Sequence, residues 1–294
     1  MRLLKDALAR RAMGLVATLP AVLVLLIVVG LFLRSKAILS VEPLSRLLFS
    51  SAWHPLKGEF GLLPFIAGTI WVTVTGLALA VPISILAAVY LSEYAPRWVR
   101  EGAKPVIDLL AGLPSVVYGV WGVILVVPFV GNVLAPLAGV QASGYSVLAG
   151  GVVLAVMTFP TIIHVTLEVF ASVPRSLRDA STSLGATRWE TTRHVVLRKG
   201  APGILAASVL GFSRAFGETM AVLMVVGNVP AVPRSLFDPG YPLPALIANN
   251  YGEMMSVPRY DAALMAAALV LTLVVLFFNI LARRILVRVE RRTR

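Results

Sequence analysis

Residues 13–33 read MGLVATLPAVLVLLIVVGLFL, an apolar stretch without a single charged side chain. A helix needs about 20 apolar residues, at about 1.5 Å of rise each, to cross a hydrocarbon layer about 30 Å thick. Arg10 and Arg11 precede the stretch, and Arg34 and Lys36 follow it. A cleaved signal peptide is excluded, because its apolar core spans only about 7–15 residues and no A-x-A-like site follows here. The stretch predicts a retained anchor helix.

Five more long and mostly apolar stretches follow along the chain. The whole sequence is 58% apolar and 14% charged, whereas soluble domains have about 45–50% apolar and about 25% charged residues. We therefore predict an all-α, polytopic membrane protein with six transmembrane helices. The predicted spans after Met13–Leu33 are Phe65–Leu91, Val106–Val130, Tyr145–Phe170, Pro202–Val229 and Ala262–Ala282.

Lysine and arginine are distributed unevenly between the two sides of these spans. Nineteen of these basic residues lie on one side, in the N-terminal segment, the connections that follow spans two and four, and the C-terminal segment. Six lie in the connections on the other side. Segments that stay in the cytoplasm carry the excess of positive charge. The distribution predicts that both termini are cytoplasmic, which agrees with an even number of spans.

Several classes of function are excluded or disfavoured by missing residues. The chain has no cysteine, so disulfides, thiolate metal sites and cysteine nucleophiles are excluded. The three histidines lie far apart and lack metal-ligand spacing. The net charge of +12 comes from residues that flank apolar stretches rather than from one soluble face, so no nucleic-acid partner is expected.

Motifs for nucleotide hydrolysis are absent from the sequence as well. A P-loop requires a Gly-Lys pair, and none of the five lysines follows a glycine. The sequence also lacks the hydrolase motif G-x-S-x-G, the zinc motif H-E-x-x-H and the channel filter T-V-G-Y-G. We therefore expect no enzyme activity and no cofactor, and an intramembrane enzyme or a channel is disfavoured.

Three prolines, Pro82, Pro114 and Pro160, fall inside predicted spans. Each removes a backbone hydrogen bond and tends to kink a helix. Kinked helices line the pathway in many transporters, but membrane prolines also serve packing alone. The sequence leaves both interpretations open.

The polar segment between spans four and five has the pattern of two helices joined by a glycine. Ser176-Leu-Arg-Asp179 fits a capping box that would open the first helix, and Gly185 would end it. Thr187-Arg-Trp-Glu190 fits a second capping box, which opens a helix toward Leu197. The segment therefore predicts a compact elbow on the cytoplasmic side.

This elbow resembles the EAA loop of ATP-binding-cassette importer permeases in Asp179-Ala180-Ser181, Gly185 and Val196-Leu197. Asp179 stands where that family usually has Glu, and Arg198 stands where Pro commonly follows the leucine. The resemblance implies that the elbow inserts a coupling helix into a groove of a separate cytoplasmic ATPase dimer, which binds the ATP. The residues it assigns to this coupling are Asp179, Ala180, Leu184, Gly185 and Ala186.

From about residue 60 to residue 228 the sequence resembles the phosphate-importer (Pst) permeases, and the C-type chain in particular. The matching pieces are Phe60–Phe65 with Gly68-Thr69, Leu91–Glu93, Leu109–Gly119, Leu184–Glu190, Gly217-Glu-Thr-Met-Ala-Val222 and Gly227-Asn228. The resemblance implies a type I importer permease fold in a bacterial inner membrane. It also implies inorganic phosphate as substrate, and an A-type permease chain and an external phosphate-binding protein as partners.

We divide the chain into three parts on these grounds. Residues 1–60 form the anchor helix and an external segment, and residues 61–286 form the transport core with the cytoplasmic coupling loop 173–200. Residues 287–294 form a basic cytoplasmic tail. The lipid bilayer surrounds the spans.

Arg214 and Glu218 are charged residues inside predicted span five, and their spacing places them on one face of a continuous helix. A charge in hydrocarbon costs at least about 2.5–3.5 kcal/mol, so such residues normally pair or face the bundle interior. One interpretation is a salt bridge that fixes span five to its neighbour. The other is an oxyanion site, in which Arg214 donates to oxygen and Glu218 holds the empty Arg214 or accepts from a protonated phosphate oxygen. The family resemblance favours the second, with molybdate or sulfate as alternative substrates.

Overall fold

The computed structural model describes residues 2–253 and 256–293, and within them the chain is a bundle of six long helices. All six are long and apolar enough to cross a membrane, so the predicted all-α membrane fold with six spans is confirmed. We number these helices as spans one to six. Their bounds are Arg2–Leu39, Leu63–Tyr94, Ser115–Leu137, Val147–Ser172, Arg188–Phe216 and Tyr260–Thr293.

Short elements connect the spans. The interface helix, Arg97–Gly112, joins spans two and three, and the elbow helix, Arg175–Ser183, joins spans four and five. The interface helix and the elbow helix lie at one end of the bundle, here called the arginine-rich side. The other short helices are Leu44–Phe49, Met220–Leu223 and Leu243–Asn250, and a small hairpin pairs Trp53–His54 with Glu59–Phe60.

Spans two and four form the most extensive helix contact of the bundle. At their crossing Gly76 faces Gly151, and a Cβ atom on Gly151 would lie 2.5 Å from Thr75 Cγ2 and 3.2 Å from the Gly76 nitrogen. In lipid there is no hydrophobic drive for helices to associate, so their association depends on close packing. Small residues such as these glycines allow the two helices to approach this closely. Span five packs on span four, and span one packs on span six at the outside.

The predicted start of span three, Val106, is wrong. Val106 belongs to the interface helix, which ends at Gly112, and span three begins at Ser115 and continues to Leu137. Leu113 and Pro114 are extended, because a proline ring disfavours the helical conformation of the residue before it. Pro114 therefore separates two helices, whereas Pro82 and Pro160 lie inside spans two and four as predicted.

The predicted bounds of span five, Pro202–Val229, are also wrong. The helix begins earlier, at Arg188, and ends at Phe216, after which residues 217–219 are not helical. The chain then forms the short helix Met220–Leu223 and returns into the bundle, where the Val225 and Val226 carbonyls accept from the Ser146 and Gly240 N–H groups. The stretch is apolar because protein covers it, as the burial of Ala221 and Val222 demonstrates.

We predict that Gly151→Leu destabilises the bundle, because a side chain at this crossing must push span two away from span four. Overpacking of this kind costs about 1–3 kcal/mol, which we expect as a lower melting temperature in detergent. Gly30→Leu is the matched control, since a Cβ atom at Gly30 in span one meets nothing within 4 Å. Equal melting temperatures for the two variants would contradict the prediction.

Candidate functional site

Arg214 lies two residues before the end of span five and reaches across to span four. Its Nη1 donates a hydrogen bond of 2.8 Å to the Thr161 hydroxyl. Thr161 is fourteen residues after the start of span four and eleven before its end, so the contact lies about halfway along the helix. This hydrogen bond fixes the guanidinium beside the middle of span four.

Glu218 does not share a helical face with Arg214, which corrects the predicted pairing. Span five ends at Phe216 and Gly217 adopts φ −93° and ψ 0°, so the four-residue register is lost before Glu218. The carboxylate Oε1 of Glu218 instead accepts a hydrogen bond of 3.1 Å from the Ala221 N–H. Among the described residues, Arg214 forms no salt bridge with any carboxylate.

The exposure of Arg214 has a direct physical meaning at this depth. Its side chain is exposed on the surface of the chain, while Glu218 and Thr161 are half-buried. An ionised arginine facing hydrocarbon is costly, and a charged residue inside a membrane normally faces a water-filled cavity or another protein surface. We therefore expect the face of spans four and five that carries Arg214 to meet water or another protein rather than lipid.

A polar row continues from Thr161 toward the arginine-rich side. His164 and Glu168 follow at helical spacing on span four, and the Nε2 atom of His164 lies 3.6 Å from Oε1 of Glu168. The second ring nitrogen of His164 lies 4.0 Å from Asp108 of the interface helix. Within residues 2–253 and 256–293 no group of three such side chains has an arrangement that could hold a metal ion.

The elbow has one of its two predicted capping boxes. The elbow helix starts at Arg175 after Pro174 and has no side-chain cap, so the box from Ser176 to Asp179 is wrong. Thr187 and Glu190 do form the second box, in which each side chain bonds to the backbone N–H of the other residue. The helix that they open continues beyond Leu197 as span five.

The tip of the elbow exposes the residues that the sequence assigned to coupling. Asp179, Ala180 and Gly185 are exposed, Ala186 is half-buried, and the side chain of Leu184 is 90% exposed. Gly185 has φ +85°, a left-handed conformation that glycine adopts without strain and that ends the elbow helix here as predicted. The tip is thus a protruding apolar side chain held on a tight turn.

Two partners in this site were not apparent from the sequence. Thr161 belongs to a different span from Arg214, and Asp108 belongs to a different helix from His164. Neither contact has a local spacing that sequence analysis can detect, because each depends on how two helices cross. A polar residue within an apolar span, such as Thr161 in span four, is the sequence feature that could indicate a partner for Arg214.

Residues 80–294 match the family described as binding-protein-dependent transport system inner membrane component. A probable ABC transporter permease protein, YqgH of Bacillus subtilis, is 38% identical over 92% of this chain and 86% of its own length. The phosphate transport system permease protein PstC of Xylella fastidiosa is 36% identical over 83% of this chain and 79% of its own. PstC of Mesorhizobium japonicum is 34% identical over 99% of this chain and 92% of its own.

Solved structures of bacterial importers share the fold. A bacterial ABC transporter involved in alginate import has a chain that superposes with a TM-score of 0.65, at 17% identity, over 98% of this chain and 99% of that one. A chain of the MetNI methionine ABC transporter superposes with a TM-score of 0.56, at 20% identity, over 78% and 94%. The fold is that of type I ABC importer permeases, and the protein is a multi-pass component of the inner membrane.

We predict that Thr161→Cys reacts with a charged, membrane-impermeant thiol reagent in membranes, because Arg214 requires a hydrated surface beside it. The chain has no cysteine, so the introduced thiol is the one thiol of this chain that can be labelled. Leu25→Cys is the control, since Leu25 is exposed on the apolar span one, and we expect at least about tenfold slower labelling there, as for a lipid-facing site. Labelling of both positions at one rate would contradict a water-accessible face.

Proposed function

This chain belongs to the family of binding-protein-dependent transport system inner membrane components, and from that membership we propose that it is the permease subunit of an ATP-driven importer of inorganic phosphate. The relatives named for phosphate transport support this substrate. The observation that carries the proposal is Arg214, an exposed guanidinium that is hydrogen-bonded to Thr161 beside the middle of span four. The C-type chain is the proposed identity of the subunit.

Arg214 has the chemistry to receive a dehydrated oxyanion. A guanidinium has five N–H donors in a rigid fork that matches the oxygens of phosphate. One donor group is used by Thr161, which fixes the plane of the fork and leaves the remaining donors for the anion. Charge-assisted hydrogen bonds of this kind are roughly twice as strong as neutral ones, so they offset part of the anion's lost hydration.

Glu218 is the second residue of the proposed translocation site, although it does not pair with Arg214 in this conformation. Its Oε1 already accepts a hydrogen bond from the Ala221 N–H. The other carboxylate oxygen, Oε2, is therefore the atom that would accept a hydrogen bond from a protonated phosphate oxygen. Sulfate and molybdate, when fully deprotonated, have no such proton to donate. An importer for one of these oxyanions is the alternative function, carried by the same Arg214.

The energy for transport comes, in this proposal, from a separate ATPase dimer that binds ATP at the cytoplasmic side. The arginine-rich side faces the cytoplasm by the positive-inside rule. The elbow tip from Asp179 to Ala186 enters a groove on the ATPase, and Leu184 is the apolar residue that fills it. The coupling loop 173–200 then belongs to the transport core, residues 61–286, between an anchor segment, 1–60, and the basic end, 287–294.

Alternating access follows from this arrangement. The chain pairs with a related A-type permease, and Arg214 faces the pathway between them. An external phosphate-binding protein delivers the anion to the side opposite the arginine-rich side. Closure of the ATPase dimer on ATP moves the elbows, rocks the spans, and shifts the opening of the pathway to the cytoplasm.

We expect phosphate uptake at low external concentration to be lost when the gene for this chain is deleted and restored when it is returned. Uptake that resists excess sulfate and molybdate would support phosphate, whereas competition by either anion would favour the alternative.

Arg214→Gln should lower the restored uptake by about tenfold or more, since a hydrogen bond to a charged group contributes about 1.5–3 kcal/mol. Arg234→Gln, in an exposed loop, is the matched control, and normal uptake by the Arg214 variant would refute the proposed site.

Leu184→Asp should prevent the ATPase from co-purifying with the permease. Burial of a leucine side chain contributes about 1.5–3 kcal/mol, and a carboxylate in an apolar groove adds a desolvation cost. Leu56→Asp is the control, because Leu56 is also highly exposed, at 82%, but belongs to the turn between the two strands of the hairpin. Retention of the ATPase by both variants would argue against the elbow tip as the docking point.

A further inference from the structure

Three arginines from three different helices converge on the last turn of span two. Arg100 of the interface helix donates to the Leu91 and Ser92 carbonyls at 2.9 and 2.8 Å. Arg178 of the elbow helix contacts Glu93, and the guanidinium of Arg188, at the start of span five, lies 4.9 Å from the centre of the Tyr94 ring. The end of span two is therefore the place where these three elements meet.

Arg178 makes the most contacts of the three. Its Nη2 lies 3.1 Å from Glu93 Oε1 and donates at 2.8 Å to the Phe170 carbonyl, while its Nη1 donates to the Val173 carbonyl. Phe170 and Val173 lie at the end of span four and just beyond it. One side chain of the elbow thus bonds to the ends of both spans two and four, which are the two helices at the centre of the bundle.

The pair between Arg178 and Glu93 is more protected than a surface salt bridge. The side chains of Arg178 and Glu93 are 21% and 12% exposed. The Ser92 hydroxyl donates a second hydrogen bond, of 2.9 Å, to the same Oε1 atom of Glu93. Exposed pairs contribute little because water screens them, whereas removing one partner of a shielded pair leaves an uncompensated charge. The position of Arg178 is therefore determined by its partners rather than by solvent.

The rest of the elbow helix is held loosely. None of its residues is buried. An open cleft of about 790 Å³ lies between the elbow helix, the interface helix and the end of span four that is on the arginine-rich side. Among the described residues, the side-chain hydrogen bonds that join the elbow helix to spans two and four all come from Arg178. Its other link, a 2.9 Å contact between the Ser181 and Thr191 hydroxyls, leads to span five.

We propose that Arg178 and Glu93 are positioning residues that transmit the movement of the elbow helix into spans two and four during transport. This inference rests on the proposed function, since the movement is the one that the ATPase imposes on the elbow. A push on the elbow reaches span four through the Phe170 and Val173 carbonyls and reaches span two through Glu93. Without this link the elbow helix is joined to span four by the chain at residues 173 and 174 rather than by side-chain hydrogen bonds, so its movement reaches spans two and four less directly.

The test uses the complete transporter in proteoliposomes, with its partner permease, ATPase and binding protein. Anion uptake and ATP hydrolysis are both measured, and their ratio is the readout. Arg178→Lys keeps the charge but cannot make the forked contacts of a guanidinium, and Glu93→Gln keeps the shape but removes the charge. We expect each variant to retain the co-purifying ATPase and most of its hydrolysis, while uptake per ATP falls by about tenfold, as for loss of a charge-assisted hydrogen bond.

A double variant and a control complete the experiment. If Arg178 acts through Glu93, the double variant should be no worse than the more affected single variant, because coupled residues are not additive. Arg46→Lys is the matched control, since Arg46 also pairs with a glutamate, Glu42 at 3.6 Å, but in the segment between spans one and two. An unchanged ratio in the Arg178 and Glu93 variants would overturn the inference, as would a parallel loss of uptake, hydrolysis and bound ATPase.

Failure of the proposed function gives a different result. In that case the wild-type transporter itself takes up no phosphate, whereas failure of the inference appears only in the variants. If the wild type takes up another oxyanion, the same ratio is measured with that anion. The two conclusions are therefore tested by separate samples.

Discussion

Hydrocarbon offers no hydrogen-bond partner to a polypeptide backbone, and this constraint determines where the chain is helical and where it is not. Irregular backbone at membrane depth is tolerated only where protein or water covers it. The break after Phe216 satisfies this condition, because Glu218 accepts from the Ala221 N–H and the Val225 and Val226 carbonyls accept from neighbouring N–H groups. The break lies directly beside Arg214, so the departure from regular helix and the exposed charge occur at the same place.

The same constraint explains how much of the structure could be predicted from the sequence. Six apolar stretches are long enough to span a membrane, and the part of the chain that the structure describes forms six helices of that length. The predicted bounds of the spans are less accurate than their number. Apolar composition does not distinguish residues that face lipid from residues such as Val222, which is buried in protein. The Thr187–Glu190 cap was predictable since it is local, whereas Ser176 already lies within the first turn of its helix, after Pro174, and cannot cap it.

The sequence is enough to name candidate residues for the site, but it does not indicate how they are arranged. Arg214 is recognisable as a charge among apolar neighbours, but its partner Thr161 is chosen by the crossing of spans four and five. The expected pairing with Glu218 assumed a helix that Gly217 ends. At the other end of the bundle, Glu93 and Arg178 are eighty-five residues apart, and neither has a spacing that indicates the other. Long-range polar contacts thus remain the part of a membrane fold that the sequence pattern does not encode locally.

The exposed guanidinium of Arg214 also bears on biogenesis. A newly inserted copy of this chain, before it meets any other subunit, presents that charge to the surrounding acyl chains at a cost of at least about 2.5–3.5 kcal/mol. In the proposed assembly a second subunit encloses this surface and removes the cost, which then adds to the free energy of assembly and penalises the unassembled chain. If Arg214 handles the anion as proposed, the same residue also leaves the unassembled subunit as the less stable species in the bilayer.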